Sequence, residues 1–243
     1  MNPALRDIIE SGSVPLSISG LALWLDASDA SSITLDGSSN VSQWADKSGN
    51  GRHATQATAL NRPGYLTNQL NGLGAVRPAS VSKWLDVASF PSLAGGYSVF
   101  AVVQSPGAAD AGIISLNAGV ASSALVVATS SSSLVFNSQW GDSVNQAVPA
   151  NNTNFAFWTH YDGSHNTGNF SMRLSTQSST ASKAMTQLAG TPPTGTMTLL
   201  SYNGANWWTR NIYEILIYNR ITTSGEDDAL KAYIMAKWGI AWS

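Results

Sequence analysis

RNIYEILIYN, residues 210–219, alternates with a period of two: Ile212, Leu216 and Tyr218 oppose Tyr213, Ile215 and Ile217. A strand that is apolar on both faces is covered on both sides, so this one belongs in the middle of a sheet. Only Glu214 breaks the pattern. Just downstream the period changes. Thr223 or Ser224 caps a helix, Glu226 and Asp227 complete a capping-box pattern, and Ala229, Leu230, Tyr233, Ile234 and Trp238 form one broad apolar face. Lys231 and Lys237 sit toward the end and Gly239 stops it. The spacing predicts a helix over 223–239 that packs on the β structure. Upstream, alternation recurs in YSVFAVVQ (97–104), where Tyr97, Val99, Ala101 and Val103 face one way. It recurs in 169–175, where Phe170, Met172 and Leu174 do so. Further strands read at 21–26, 41–44, 84–88, 112–117, 124–129, 133–138, 154–161 and 196–202. Asp36-Gly37, Asn71-Gly72, Gly95-Gly96, Asp162-Gly163, Asn203-Gly204 and the serine run 130–133 mark turns between them. About a dozen short strands with no intervening helices predict an all-β fold: two packed antiparallel sheets, with short helices at the two ends.

The chain has 243 residues, long enough for one large sandwich, and no composition break divides it. We read 1–20 as an N-terminal helical attachment segment and 21–243 as the sandwich with its C-terminal helix. Within the first, residues 3–11 carry Pro3 in the first turn and Leu5, Ile8 and Ile9 on one face. So short a helix needs a docking surface, on its own domain or on a partner. The segment lacks the basic and continuous apolar regions of a signal peptide, and no stretch reaches the length of a membrane span. There is no Cys, which excludes disulfides, thiolate metal sites and cysteine nucleophiles. Charged residues are only 11%, the net charge is −2 and no Lys/Arg run exists, so nucleic acid is not an expected partner. Nine Trp must be explained as core or as binding surface.

Two segments are familiar together: LALWLDASDASSITLDGSSNVSQWADKSGNGRHATQ (21–56) with NRPGY (61–65), and IYEILIYNRITTSGEDDALKAYIMAKWGI (212–240). The pairing resembles the concanavalin A-like lectin/glucanase superfamily, in the laminin G-like form that recurs in bacteriophage virion proteins and bacterial surface proteins. The resemblance implies a jelly-roll β-sandwich with binding sites on rim loops or on the concave face. It also implies a virion location, as a capsid decoration, head-fibre or tail receptor-binding module attached to other virion proteins through the N-terminal segment. Fold alone does not settle function.

Three features carry candidate chemistry. In DKSGNGRHA (46–54), Asp46, Ser48 and Asn50 offer oxygens that could serve Ca2+. The loop alone is several ligands short of that ion's needs, and Asp and Asn in Gly-broken turns ordinarily bind their own backbone. In SYNGANWWTRN (201–211), adjacent Trp207 and Trp208 cannot easily both face inward. An exposed indole with Asn203, Asn206 and Arg210 nearby suits carbohydrate, the ring covering a sugar face and the amides binding hydroxyls. A loop anchor or a subunit contact is the alternative. Trp140 is a further candidate, whereas Trp24, Trp44 and Trp238 read as core. Finally, Glu214 is a buried carboxylate with no Asp near it on its own strand. Glycoside hydrolysis needs a pair of carboxylates, and the closely spaced carboxylates of the superfamily's glucanases are missing here. Glu214 is therefore expected to accept hydrogen bonds from loop backbone or an Arg. His53, His160 and His165 do not form a metal motif, and no nucleophile elbow or phosphate-binding loop is present. The expectation is a non-enzymatic virion surface module that binds carbohydrate, gains from homo-oligomerisation and enters no membrane. A free secreted lectin is the alternative, and a glycan hydrolase or lyase stands behind it.

Overall fold

A computed structural model of the protein describes residues 13–116, 125–139, 142–162, 169–184, 194–202 and 206–243. The expected helix at 3–11 lies outside them. The described chain opens with a single helical turn, α1 (Val14–Ser17), whose Pro15 suits a first turn. Strands then follow in order: β1 (Leu21–Asp26), β2 (Ile33–Leu35), β3 (Val41–Trp44), β4 (Ala54–Thr55), β5 (Gly64–Leu70), β6 (Leu73–Arg77), β7 (Leu85–Phe90), β8 (Tyr97–Gln104), β9 (Ala111–Leu116) and β10 (Leu125–Ser130). They continue with β11 (Ser133–Gln139), β12 (Asp142–Ala147), β13 (Asn154–Asp162), β14 (Asn169–Leu174), β15 (Ala181–Ala184), β16 (Gly195–Leu199), β17 (Ser201–Tyr202), β18 (Asn206–Trp207) and β19 (Ile212–Tyr218). Helix α2 (Ser224–Trp238) closes the fold.

These strands make two sheets. One has eight strands, in the order β15-β14-β13-β8-β19-β6-β5, with β1 also on β19. The other has eleven, in the order β12-β11-β10-β9-β16-β7-β4-β3-β2, with β17 and β18 beside β9. All pairings are antiparallel except the single β18–β9 bridge, Trp207 with Gly112. The chain is thus an all-β, two-sheet antiparallel sandwich with short helices. Ser131 and Ser132 both take positive φ, of 48° and 71°, and close the β10–β11 hairpin at the serine run.

The apolar residues divide between two cores. The larger lies between the sheets and takes Tyr97, Val99, Ala101 and Val103 from β8 and Phe170, Met172 and Leu174 from β14. The second lies under α2, on the other face of the eight-stranded sheet. It holds Trp24, Phe100, Val102, Tyr213, Tyr233 and Trp238, with Val14 and Ile18 from the N-terminal turn. Each fully buried side chain of this size is worth on the order of 2–3 kcal/mol. β19 is central and covered on both faces, but its parity differs from simple alternation. A register shift between Ile212 and Glu214 turns Ile212 into the inter-sheet core and Tyr213 toward α2. Helix α2 starts as its sequence requires. The Thr223 side chain accepts the Glu226 N–H, Glu226 accepts the Thr223 N–H at 2.8 Å, and Gly239 ends the helix at φ 70°.

Candidate functional site

Cross-strand register aligns a polar row on the outer face of the eleven-stranded sheet. Thr34 pairs with Gln43, Gln43 with Thr55, Thr55 with Asp86, Asp86 with Thr198, and Thr198 with Ser115. Directly paired residues share a face. Their sequence neighbours Trp44, Ala54, Leu85, Val87, Leu199, Ile114 and Leu116 fill the inter-sheet core, so the row points away from it. Asp86 is half-buried at the middle. Its carboxylate accepts the Trp84 indole N–H at 3.0 Å and the Thr198 hydroxyl at 2.8 Å. Ser115 ends the row, buried, and its hydroxyl has no partner among the described residues.

The hairpin of β17 and β18 brings the second aromatic. Leu200, at φ 70°, donates its N–H to Ile113 and turns the chain out of β16. The chain then lies on Gly112 so closely that a Cβ there would sit 2.5 Å from the Ser201 carbonyl carbon and the Tyr202 nitrogen. Glycine at 112 is therefore a requirement of close backbone approach. Trp207 emerges half-exposed, with its ring centroid 5.6 Å from that of Trp84 and the planes inclined by 34°. The next residue, Trp208, points the other way and is 0% exposed in the inter-sheet core. Its place in the expected carbohydrate site is corrected: period-two geometry leaves one of two adjacent indoles outside, and that one is Trp207.

The other candidate residues fall as follows. Asn206 is half-exposed and pairs with Tyr202 across the hairpin. Arg210 is half-exposed, but its guanidinium is held by Asn151 at 3.2 Å and by the Thr209 carbonyl at 3.2 Å. Asn203 and Trp140 lie outside the described residues. Trp84 completes the aromatic pair and was not singled out from sequence. Its parity with polar Asp86, opposite apolar Leu85 and Val87, is the signal in the sequence that could have found it.

The 46–54 loop is organised by backbone bonds. Asp46 accepts the N–H groups of Trp24 (3.0 Å), Ser48 (2.9 Å) and Arg52 (3.0 Å), together with the Ser48 hydroxyl (2.8 Å). The Asn50 amide donates to the Leu21 carbonyl at 2.9 Å. With its lone pairs occupied, Asp46 is a turn organiser, and Ser48 and Asn50 serve the same turn. Among the described residues no group of three or more His, Asp or Glu is arranged to hold a metal ion.

Glu214 does not meet backbone or Arg. It accepts the indole N–H groups of Trp24 (2.7 Å) and Trp238 (2.6 Å), the Tyr233 hydroxyl (2.7 Å) and the Lys237 ammonium (3.0 Å). Nor is it isolated: Asp26 faces it across the β1–β19 pairing. Lys237 bridges the two carboxylates, reaching Asp26 at 2.8 Å, and Lys47 adds a second cation to Asp26 at 3.0 Å. Burial works to raise the Asp26 pKa, but Lys237, Ser28 and Lys47 together outweigh it and hold it below the ordinary range. Asp26 and Glu214 are 3% and 1% exposed beneath α2, so no substrate reaches them. Tyr233, buried against Glu214, has its pKa driven far up by burial and by that charge. A second buried polar cluster pins the start of α2. Thr222 donates to Asp227 at 2.5 Å, and His160 lies 3.2 Å from Thr222 and 3.5 Å from Asp227. No helix among the described residues is long and apolar enough to cross a membrane.

No protein-family model matches the sequence, and no curated protein matches it either. Solved structures do. Trypanosoma rangeli sialidase in complex with sialic acid is 12% identical, with a TM-score of 0.60 over 99% of this chain and 39% of the sialidase. The binding domain of botulinum neurotoxin serotype C1 is 14% identical, with a TM-score of 0.57 over 89% of this chain and 52% of its own. The botulinum neurotoxin DC binding domain in complex with SialylT is 13% identical, with a TM-score of 0.57 over 90% and 52%. The chain therefore spans about two-fifths of the sialidase and half of the neurotoxin domains. At such identities the likeness is one of fold alone: a β-sandwich built from the same kind of paired sheets.

Proposed function

We propose that this domain binds carbohydrate without chemically altering it, and that Trp84 and Trp207 form the platform. The observation that carries this reading is their half-exposed pairing beside an outward row of Asp86 and Thr198. An indole face covers the apolar face of a sugar ring, and fixed acceptors and donors beside it take the hydroxyls. Asn206 flanks the platform through the same hairpin. The non-enzymatic part is supported by the one carboxylate pair described above, Asp26 and Glu214, which is sealed and saturated by donors. That one structural neighbour is a binding domain in complex with SialylT agrees with a glycan role for this kind of sandwich.

Display on a bacteriophage particle is the finer part of the proposal. It rests on the concanavalin A-like resemblance of 21–65 and 212–240, with virion proteins as partners of segment 1–20 and homo-oligomers adding avidity to weak single sites. Recovery of the protein from purified particles is the expected outcome; free soluble protein alone would favour a secreted lectin. The platform itself is tested on a glycan array with Trp84→Ala and Trp207→Ala. Each should weaken binding by at least about twofold to tenfold, since ring contacts contribute about 0.5–1.5 kcal/mol beyond their area. Unchanged binding in the double variant would remove the platform from the site.

A further inference from the structure

We infer that the sugar held on this platform is uncharged at the platform contact, and that Asp86 discriminates against acidic sugars. The inference rests on the carbohydrate reading above and adds the ligand's chemical class. Asp86 lies on the same face as the Trp84–Trp207 pair and is tied to it directly through the Trp84 indole N–H. Its carboxylate has about four lone-pair positions, of which Trp84 and Thr198 use two. The remainder accept O–H groups, which a neutral sugar supplies and an ionised carboxylate or sulfate does not.

The charge at Asp86 is also uncompensated among the described residues. It makes no ion pair among the described residues. The cation nearest along the chain, Lys83, is engaged elsewhere, donating to the Leu60 carbonyl at 2.7 Å, and Arg62, farther back, pairs with Asp36 at 3.1 Å. An acidic ligand is ordinarily met by an arginine fork, which matches carboxylate and phosphate geometry. The described arginine nearest the hairpin in sequence, Arg210, is turned to Asn151 and Thr209 instead. A second negative charge about 5 Å from Asp86 lowers affinity by a factor between about fourfold and a few hundredfold at effective dielectrics from water to protein surface. The platform is thus built against acidic sugars such as the sialic acid found with one structural neighbour.

The experiment is a panel of immobilised oligosaccharides in which each neutral member is paired with its sialylated, uronate-bearing or sulfated counterpart. It is probed with the full chain, with the Trp84→Ala/Trp207→Ala double variant and with Asp86→Asn. Neutral members should bind in a manner that needs both indoles, and their acidic counterparts should bind at least several-fold more weakly. Asp86→Asn keeps an acceptor oxygen but not the charge, so it should close most of that gap. A measurement on the unaltered protein removes dependence on the variant's folding: raising salt from about 0.05 M to about 0.5 M should narrow the same gap by screening. Acidic members bound as well as neutral ones through the indoles would overturn the inference and leave the carbohydrate reading standing. A gap that survives both Asp86→Asn and high salt would remove Asp86 as its cause. Loss of all indole-dependent binding across the panel would overturn the carbohydrate reading itself.

Discussion

Two regions of this sandwich place tryptophan indoles on a carboxylate, and they come to opposite ends. Under α2, Glu214 accepts from two indoles, a phenol and an ammonium, and is 1% exposed. On the outer face of the larger sheet, Asp86 accepts from one indole and one hydroxyl and stays half-open. The residue types are nearly the same. The difference is the covering element: a fifteen-residue helix closes the first region, while a short hairpin walls only one side of the second. A buried charge must be met on all sides, because leaving it partly unsatisfied costs several kcal/mol. An open one can leave lone pairs to solvent or to a ligand. Saturation therefore marks a structural clamp, and incomplete saturation beside an exposed ring marks a binding surface.

The largest expected effect tests that contrast directly. Glu214→Ala takes the acceptor from three neutral donors in a covered space and leaves Lys237 with Asp26 alone of its two carboxylates, so chemical denaturation should show a loss of about 3–5 kcal/mol. Asp86→Ala removes two hydrogen bonds at a half-open position and should cost about 1 kcal/mol. Equal losses at the two sites would break the distinction between clamp and surface. Next in size is Gly112→Ala. Its Cβ meets backbone, not a movable side-chain tip, so the β17–β18 hairpin must shift, at a cost of about 1–3 kcal/mol. Trp207 moves with the hairpin, so glycan affinity should fall in this variant as well as stability. Affinity unchanged in a destabilised Gly112→Ala protein would separate the hairpin from the site.

How far these regions can be read from sequence follows from the range of the interactions. The central strands were legible because β8, β13 and β19 bury both faces, and the helix because Thr223, Glu226 and Gly239 act locally. β5 was not, since Asn68 at φ 53° interrupts its alternation and most of its residues are part-exposed. β12 and β15 are edge strands with almost no large apolar residues, formed by backbone pairing more than by apolar pattern. Parity between neighbours put one of Trp207 and Trp208 outside. Pairing Trp84 with Trp207, or Asp26 with Glu214, required strand order and register, because each pair joins residues more than a hundred positions apart.

A smaller effect concerns the loop once open to a metal reading. Asp46→Ala removes the acceptor for three backbone N–H groups and should cost about 1–2 kcal/mol, close to the loss of a helix cap. Chelation should leave the melting temperature of the unaltered protein in place. A fall in Tm on chelation that added Ca2+ restores would return Asp46, Ser48 and Asn50 to a metal site.

The smallest effect is on acid stability, and it belongs to the clamped side of the molecule. Ser31 and then Lys47 lower the Asp29 pKa to about 2, and Arg220 and the Thr223 N–H lower that of Glu226 to about 2. Asp26 is lowered as well. Each group is depressed in the folded protein, so its stabilisation is fully present above the unfolded pKa, about 3.9 for Asp and 4.3 for Glu. It is lost as pH falls from there through the folded value near 2. Stability from these groups should be flat between pH 5 and 8 and decline between about pH 4 and pH 2. Glu226 is a partly solvated side chain at the first turn of α2, so its share is small. Glu226→Gln should nonetheless flatten part of the decline, because the variant has no charge to lose. Tryptophan fluorescence followed through the acid transition should report Trp24 and Trp238 under α2 as the clamp loosens. A decline that begins above pH 5, or one left unchanged by Glu226→Gln, would show that other groups govern the acid limit.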